Sequence, residues 1–413
     1  MTTSAYFPRA KMQQRLHEGP LGVHIDLYAA RLLKEGHCRQ SAWRGLRVVC
    51  DFSHWLARKR LGLNDLDERT VDRYQQFRSR YRCPFLSDRP ALLRLLAVLR
   101  EIAAIAPRPP VALGALEQME EDFKQYLIQE CGLARVSVVR HEPVVRQFLR
   151  ERCAGAHRCI ARLTAADITA FVERHARDQS PRSAQIMCWT LRAFTRYLQY
   201  RSHVIADLAS SVPAVRTWRL ASLPAYLLPK QVQQVLDACD RHSAIGRRDY
   251  AILMMLARLG LRANEIATLT LEDLDWQSGQ LTVQGKGRRR AQLPLPEEVG
   301  AAIADYLQHG RPRSDSRRVF LRDLAPHVGF ASSAGISMIA KTALTRAGMV
   351  DVAHKGTHLF RHSLATQLLR AGASLTEIGQ VLRHEDHDTT RIYAKVDIGA
   401  LRALGLPWPG GTR

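Results

Sequence analysis

The sequence predicts a mainly α-helical protein made of several helical domains, with one small β-sheet confined to its C-terminal part. Apolar residues recur at three-to-four spacing through most of the 413 residues, the mark of amphipathic helices. One stretch, 280-QLTVQGKGRRRAQLPL-295, instead alternates and turns at Gly-Lys-Gly, which reads as a β-hairpin. Two breaks, 106-APRPPVALG-114 and 209-ASSVPAVRTWRLASLP-224, separate the helical stretches.

In chain order, helices over 26–34, 42–58 and 91–105 build an extra N-terminal domain, residues 1–110. Helices over 116–129, 136–152, 165–175 and 182–200 build a second helical domain, 115–208, followed by a linker over 209–226. Aligning 42-AWRGLRVVCDFSHWLARKR-60 with 136-VSVVRHEPVVRQFLRERCA-154 suggests that the two are a duplication, although any two amphipathic bundles share part of such a pattern. A third domain spans 227–400, with helices over 230–240, 249–259 and 263–269, the hairpin, and helices over 297–309 and 336–347. Within it Gly372 closes one helix, and Ser374 with Glu377 forms a capping box that opens the next. Residues 401–413 form a tail, and Leu401, Leu404 and Leu406 offer it an apolar face.

Charge narrows the function. There are 61 Lys and Arg against 39 Asp and Glu, a net charge of +22. The excess is +15 over residues 1–225 and +7 over 226–413, so the positive field is not confined to a tail. Such a field steers polyanions, above all nucleic acid. Codon bias accounts for choosing Arg over Lys but not for a surplus of cations. No apolar run is long enough to span a membrane, and the first residues lack the apolar core of a secretory signal. The eight cysteines contain no C-x-x-C pair, so structural zinc and a disulfide framework are not expected and the thiols suit a reducing cytoplasm.

Cleaving a phosphodiester without a metal needs cations for the non-bridging oxygens, an in-line nucleophile and an acid for the departing alkoxide. Arg262 follows Gly260-Leu261 at a helix start. Lys286 sits at the hairpin tip between Gly285 and Gly287. His358 and Arg361 project from one helix face. His384 follows a helix end, and Tyr393 lies in 390-TRIYAKV-396. Singly, each has a blander reading: a surface arginine, an ordinary hairpin tip, a core histidine, a tyrosine anchor. The run 384-HEDHD-388 does not match metal-binding helices, which prefer an i, i+4 histidine pair, so no metal is expected.

Together, the order and intervals of Arg262, Lys286, His358, Arg361, His384 and Tyr393 resemble the tyrosine recombinase, or phage integrase, family. The pieces that carry the resemblance are 260-GLRANEIATLTLEDLDW-276, 285-GKGRRRAQLPLP-296 and 358-HLFRHSLATQLLRAGASLTEIGQVLRHEDHDTTRIYAKV-396. Residues 115–208 more loosely resemble the family's SAM-like core-binding domain. The resemblance implies a site-specific recombinase that cuts and rejoins DNA through a 3′-phosphotyrosine bond to Tyr393. Arg262 and Arg361 would clamp the phosphate, Lys286 would protonate the leaving 5′-oxygen, and His358 and His384 would assist. It implies no cofactor, double-stranded DNA at specific recombination sites as partner, a homotetramer on two duplexes, other recombinase subunits as further partners, and no membrane. It also implies a bacterial, cytoplasmic, nucleoid-associated protein, and the extra N-terminal domain, which lengthens the chain beyond the family's minimal two-domain form, points to service of a mobile element. A type IB topoisomerase-like enzyme and a catalytically idle DNA-binding relative are the alternatives. One departure stands out: Arg383 precedes His384 where the family usually has Gly.

Overall fold

A computed structural model describes all residues except 1, 2, 4, 5, 8, 9, 84, 109–112, 154–156, 217–223, 286–288, 353, 354, 385, 386 and 397–413. The tail and its three leucines therefore lie outside the described residues. The chain forms two compact units, Pro109–Ala221 and the rest, Met1–Arg108 with Ser222–Arg413. It is mostly helical, with one three-stranded sheet.

The N-terminal helices are α1 (Ala10–Leu16), α2 (Ile25–Lys34), α3 (Arg39–Arg58), α4 (Glu68–Ser79) and α5 (Asp88–Glu101). They close on a core that includes Tyr28, Leu46, Phe52, Trp55, Tyr74 and Leu96. The Tyr28 hydroxyl is satisfied inside it by the Ala91 carbonyl, 3.0 Å away.

The middle unit contains α6 (Ala115–Gln129), α7 (Arg135–Val138), α8 (Glu142–Cys153), α9 (Ala165–Ala176) and α10 (Pro181–Tyr200). Its core is aromatic: Phe123 meets Phe194 edge-on, and Phe148 meets Phe171 in the same way. The expectation of unpaired thiols is corrected at one pair. Cys153, at the end of α8, bonds to Cys159, because the chain returns within six residues to bring the Cα atoms to 5.3 Å.

The remaining elements are α11 (Pro229–Asp237), α12 (Ala244–Arg258), α13 (Ala263–Thr268), β1 (Leu274–Asp275), β2 (Gln280–Gln284), β3 (Arg290–Pro294) and α14 (Glu297–His309). They continue with α15 (Ser333–Arg346), α16 (Thr357–Arg370), α17 (Leu375–Leu382), the single turn α18 (His387–Thr390) and a 3₁₀ segment, Arg391–Val396. The strands run antiparallel in the order β1-β2-β3, with Val283 opposite Ala291. Leu281 and Val283 point from β2 into a core centred on α12, which explains the alternation in the sequence. A smaller cluster joins Ala365 of α16, Ile378 and Leu382 of α17, and Tyr393. Each turn that brings these pieces together has a local cause. The Ser374 hydroxyl accepts from the Glu377 amide while the Glu377 carboxylate accepts from the Ser374 amide at 2.7 Å, so α17 starts with its capping box complete.

Candidate active site

Three backbone corners meet at the site, and guanidinium groups fasten them. The first is the α12–α13 corner. Gly260 turns it at φ +57°, and a Cβ there would lie 2.9 Å from Leu382 and 3.0 Å from Leu364, so both conformation and space call for glycine. Arg262 follows in extended conformation as the N-cap of α13. Glu265, only 2% exposed, accepts from the Arg262 amide at 2.8 Å and from its guanidinium at 2.9 Å.

The second corner is the end of α17. Arg383 takes the left-handed conformation, φ 55° and ψ 50°, which costs a side chain roughly 1–2 kcal/mol. Its guanidinium offsets this by donating at 3.0 Å to Glu265 Oε2, the oxygen that also accepts from the Arg262 amide. Glu265 thus holds two arginines from segments far apart in sequence.

The third piece is the first turn of α16. Arg361, 4% exposed, donates to the carbonyls of Gly260 and Leu382. Arg262 donates to the next carbonyl, that of Arg383, at 3.2 Å. The two guanidiniums therefore bind consecutive carbonyls at the end of α17. Burial and the neighbouring charges of Arg262 and Arg383 pull Arg361 down to about 10, with Glu265 opposing, so it stays charged at neutral pH.

Tyr393 lies beside this cluster at 1% exposure, its ring packed on Ile378 and Leu382. Its phenol oxygen is 2.9 Å from Nδ1 of His362. Burial pushes the phenol up to about 12, and Arg361 pulls the other way. His384 lies parallel to the Tyr393 ring at 6.4 Å between centroids, and its Nδ1 meets the Thr390 hydroxyl at 2.8 Å. His358 stands one turn before His362, with ring centroids 6.2 Å apart. Burial holds both His362 and His384 near 4. The next contributions come from His358 and Arg361 at His362, and from Arg361 and Arg262 at His384. His358 keeps an exposed edge, yet the protein mass around it, then Arg361 and Arg262, lower it as well. Neutral imidazoles beside fixed guanidiniums suit a site that moves protons around a bound anion.

The structure thus brings Arg262, His358, Arg361, His384 and Tyr393 together. Lys286 lies outside the described residues. The root of its hairpin does approach the cluster: a cavity lined by Glu265, Thr268, Gln284, Arg290 and Arg318 joins the two. Among the described residues, no group of three or more His, Cys, Asp or Glu is placed to hold a metal ion.

A protein of Sinorhizobium fredii named as an integrase/recombinase is 43% identical over 98% of this chain and 99% of its own length. The chain belongs to the tyrosine recombinase family. The phage integrase family profile matches residues 225–399, and the profile of the phage integrase N-terminal SAM-like domain matches 121–202. Tyrosine recombinase XerC of Oceanobacillus iheyensis is 30% identical over 70% of this chain and 95% of its own. In fold, the recombinase resembles XerH in its post-cleavage complex, with a TM-score of 0.55 and 16% identity over 70% of this chain and 84% of that one. It also resembles a lambda integrase dimer bound to a core site, with a TM-score of 0.51 and 14% identity over 71% and 98%. The chain is a tyrosine-type site-specific recombinase. No helix among its described residues is long and apolar enough to cross a membrane.

Sequence reasoning missed His362. Its signal was available, since it lies four residues after His358 and so shares its helix face. The bond between Glu265 and Arg383, 118 positions apart, has no local signal in the sequence.

Proposed function

We propose that this recombinase cuts and rejoins double-stranded DNA through Tyr393, with Arg262 and Arg361 clamping the scissile phosphate. The observation that carries this reading is the convergence of two guanidiniums, three imidazoles and one phenol from segments 131 positions apart in sequence, Arg262 to Tyr393. The phenol oxygen attacks phosphorus and gives its proton to a neutral imidazole of the cluster. As the bond to the 5′-oxygen breaks, Lys286 protonates that oxygen. The guanidiniums meet the charge that builds on the non-bridging oxygens. His358 and His384 donate to those oxygens and relay protons. The product is a 3′-phosphotyrosyl bond that conserves the energy of the phosphodiester, so religation needs neither nucleotide nor cofactor.

His362 holds the phenol in its resting position, and engagement of DNA must draw Tyr393 out of its buried pocket. The helical residues 1–110 and 115–208 grip the duplex, with the linker 209–226 joining them to the catalytic domain, 227–400. Four protomers on two duplexes exchange strands, in the service of a mobile element. A known structure supports this assembly by analogy: it is a lambda integrase tetramer bound to a Holliday junction.

The test uses inverted repeats flanking the encoding gene, made as suicide substrates nicked beside each candidate cut. The native protein should form a covalent adduct that resists denaturant, and Tyr393→Phe should form none. An adduct that survives Tyr393→Phe refutes the nucleophile.

A further inference from the structure

The N-terminal helices repeat the architecture of the middle unit. In each, four helical segments follow one another, α2, α3, α4 and α5 in the first, and α6, α7–α8, α9 and α10 in the second. The same pairs pack in both: first on second, first on fourth, second on fourth and third on fourth. A 3₁₀ segment precedes the third helix in each case, Leu63–Asp65 and His157–Arg162. Each third helix is then capped by a side chain accepting from the amide three residues on, Asp67 from Thr70 and Thr164 from Asp167.

The cores correspond residue by residue. Val48 matches Val145, Phe52 matches Leu149, Leu56 matches Cys153, Leu66 matches Leu163, Val71 matches Ile168, and Tyr74 matches Phe171. All twelve are buried, and all six pairs have the same spacing. This register lies about one helical turn from the alignment of 42–60 with 136–154.

The copies differ on the surface. Between its third and fourth helices the N-terminal copy carries a longer connection that exposes Tyr81, Phe85 and Leu86, the last completely. The guanidiniums of Arg44 and Arg82 lie 5.6 and 5.8 Å from the Phe85 ring. Elsewhere in this copy Arg31, Arg78, Arg89, Arg94 and Arg100 are neutralised by carboxylates. Among the described residues, Arg44, Arg80 and Arg82 have no such partner; Arg39, Arg47, Arg58, Arg69 and Arg73 have none either, but Arg80 and Arg82 lie on the exposed connection itself and Arg44 sits over its Phe85. Unpaired arginines around exposed apolar side chains match a polyanion whose grooves are lined with apolar sugar and base edges.

We propose that residues 22–105 are a second copy of the SAM-like module, and that Arg44, Arg80 and Arg82, with Phe85 and Leu86, bind duplex DNA beyond the core site. This rests on the reading of the chain as a DNA-cutting recombinase, and the experiment separates the two.

Binding of the full-length protein to a 60-bp random-sequence duplex is measured from about 50 to 200 mM salt, a range in which counterion release is steep. Arg44→Ala/Arg80→Ala/Arg82→Ala should flatten the slope of log affinity against log salt by about 2 to 3, at ~0.9 per lost phosphate contact. The corresponding triple Lys variant should restore the slope, which a merely misfolded protein would not allow. An alanine variant with the native slope and affinity overturns the proposal. The covalent adduct at Tyr393 is followed in parallel on the nicked inverted-repeat suicide substrates: its absence there from the native protein would refute the cutting chemistry and leave the salt slopes to judge this surface alone.

Discussion

At the scale of single residues, His362 is the side chain whose role the geometry adds. Asn can place an acceptor where Nδ1 stands, whereas Phe keeps the ring and loses the acceptor. His362→Asn should therefore keep the resting hold on Tyr393 and the native rate of adduct formation, and His362→Phe should release the phenol and raise that rate several-fold at unchanged DNA affinity. Suicide-substrate kinetics with a binding assay check both. His362 went unread in the sequence because the recombinase pattern draws attention to His358 and Arg361, and a histidine beside an arginine has no period of its own. Protonation gives a second prediction. His362 and His384 are held near 4 in the fold against 6.5 in the unfolded chain, so below pH 6.5 the unfolded chain binds protons that the fold refuses. Stability should be full above pH 6.5 and fall as pH drops towards 4. The Tyr393 phenol works at the other end and subtracts stability as pH rises from 10 towards 12. Urea midpoints across pH, compared with those of His362→Asn and Tyr393→Phe, test both limbs.

Among elements, the corners matter more than the helices they join. Gly260→Ala should destabilise the protein, since a methyl must displace Leu382 or Leu364 and the left-handed backbone adds roughly 1–2 kcal/mol. Glu265→Gln should cost about 3 kcal/mol, because it leaves the guanidinium of Arg383 half-buried without a counter-charge. Denaturant melts measure both. Much of this level was legible: the hairpin, the capping box at Ser374 and the helix carrying His358 and Arg361 all follow from local pattern. Boundaries drifted where caps overrule periodicity. Helix α12 begins at Ala244, because the Ser243 side chain accepts from Gly246, whereas apolar spacing alone starts it at 249. Helix α15 likewise begins at Ser333 behind the Ser332 cap, rather than at 336. The pairing of Cys153 with Cys159 was illegible, since thiol spacing says nothing of how the chain folds back between them.

For the whole molecule, the surplus of 22 positive charges predicts steep salt dependence of DNA binding, and the chemistry of the site predicts indifference to chelators. Adduct yield on a suicide substrate should be unchanged by excess EDTA; a loss restored by added magnesium would mean that the arginines do not meet the phosphate charge alone. The bonds that fasten the site have a further consequence. Arg262 and Arg361 grip the backbone at the end of α17 as well as facing the place proposed for the phosphate. Mutational drift therefore cannot erase them while sparing the scaffold. A descendant that abandoned cutting would shed the hydroxyl of its tyrosine, keeping an aromatic ring in the core, long before its arginines, and intact guanidinium positions in a lineage testify to folding before they testify to activity.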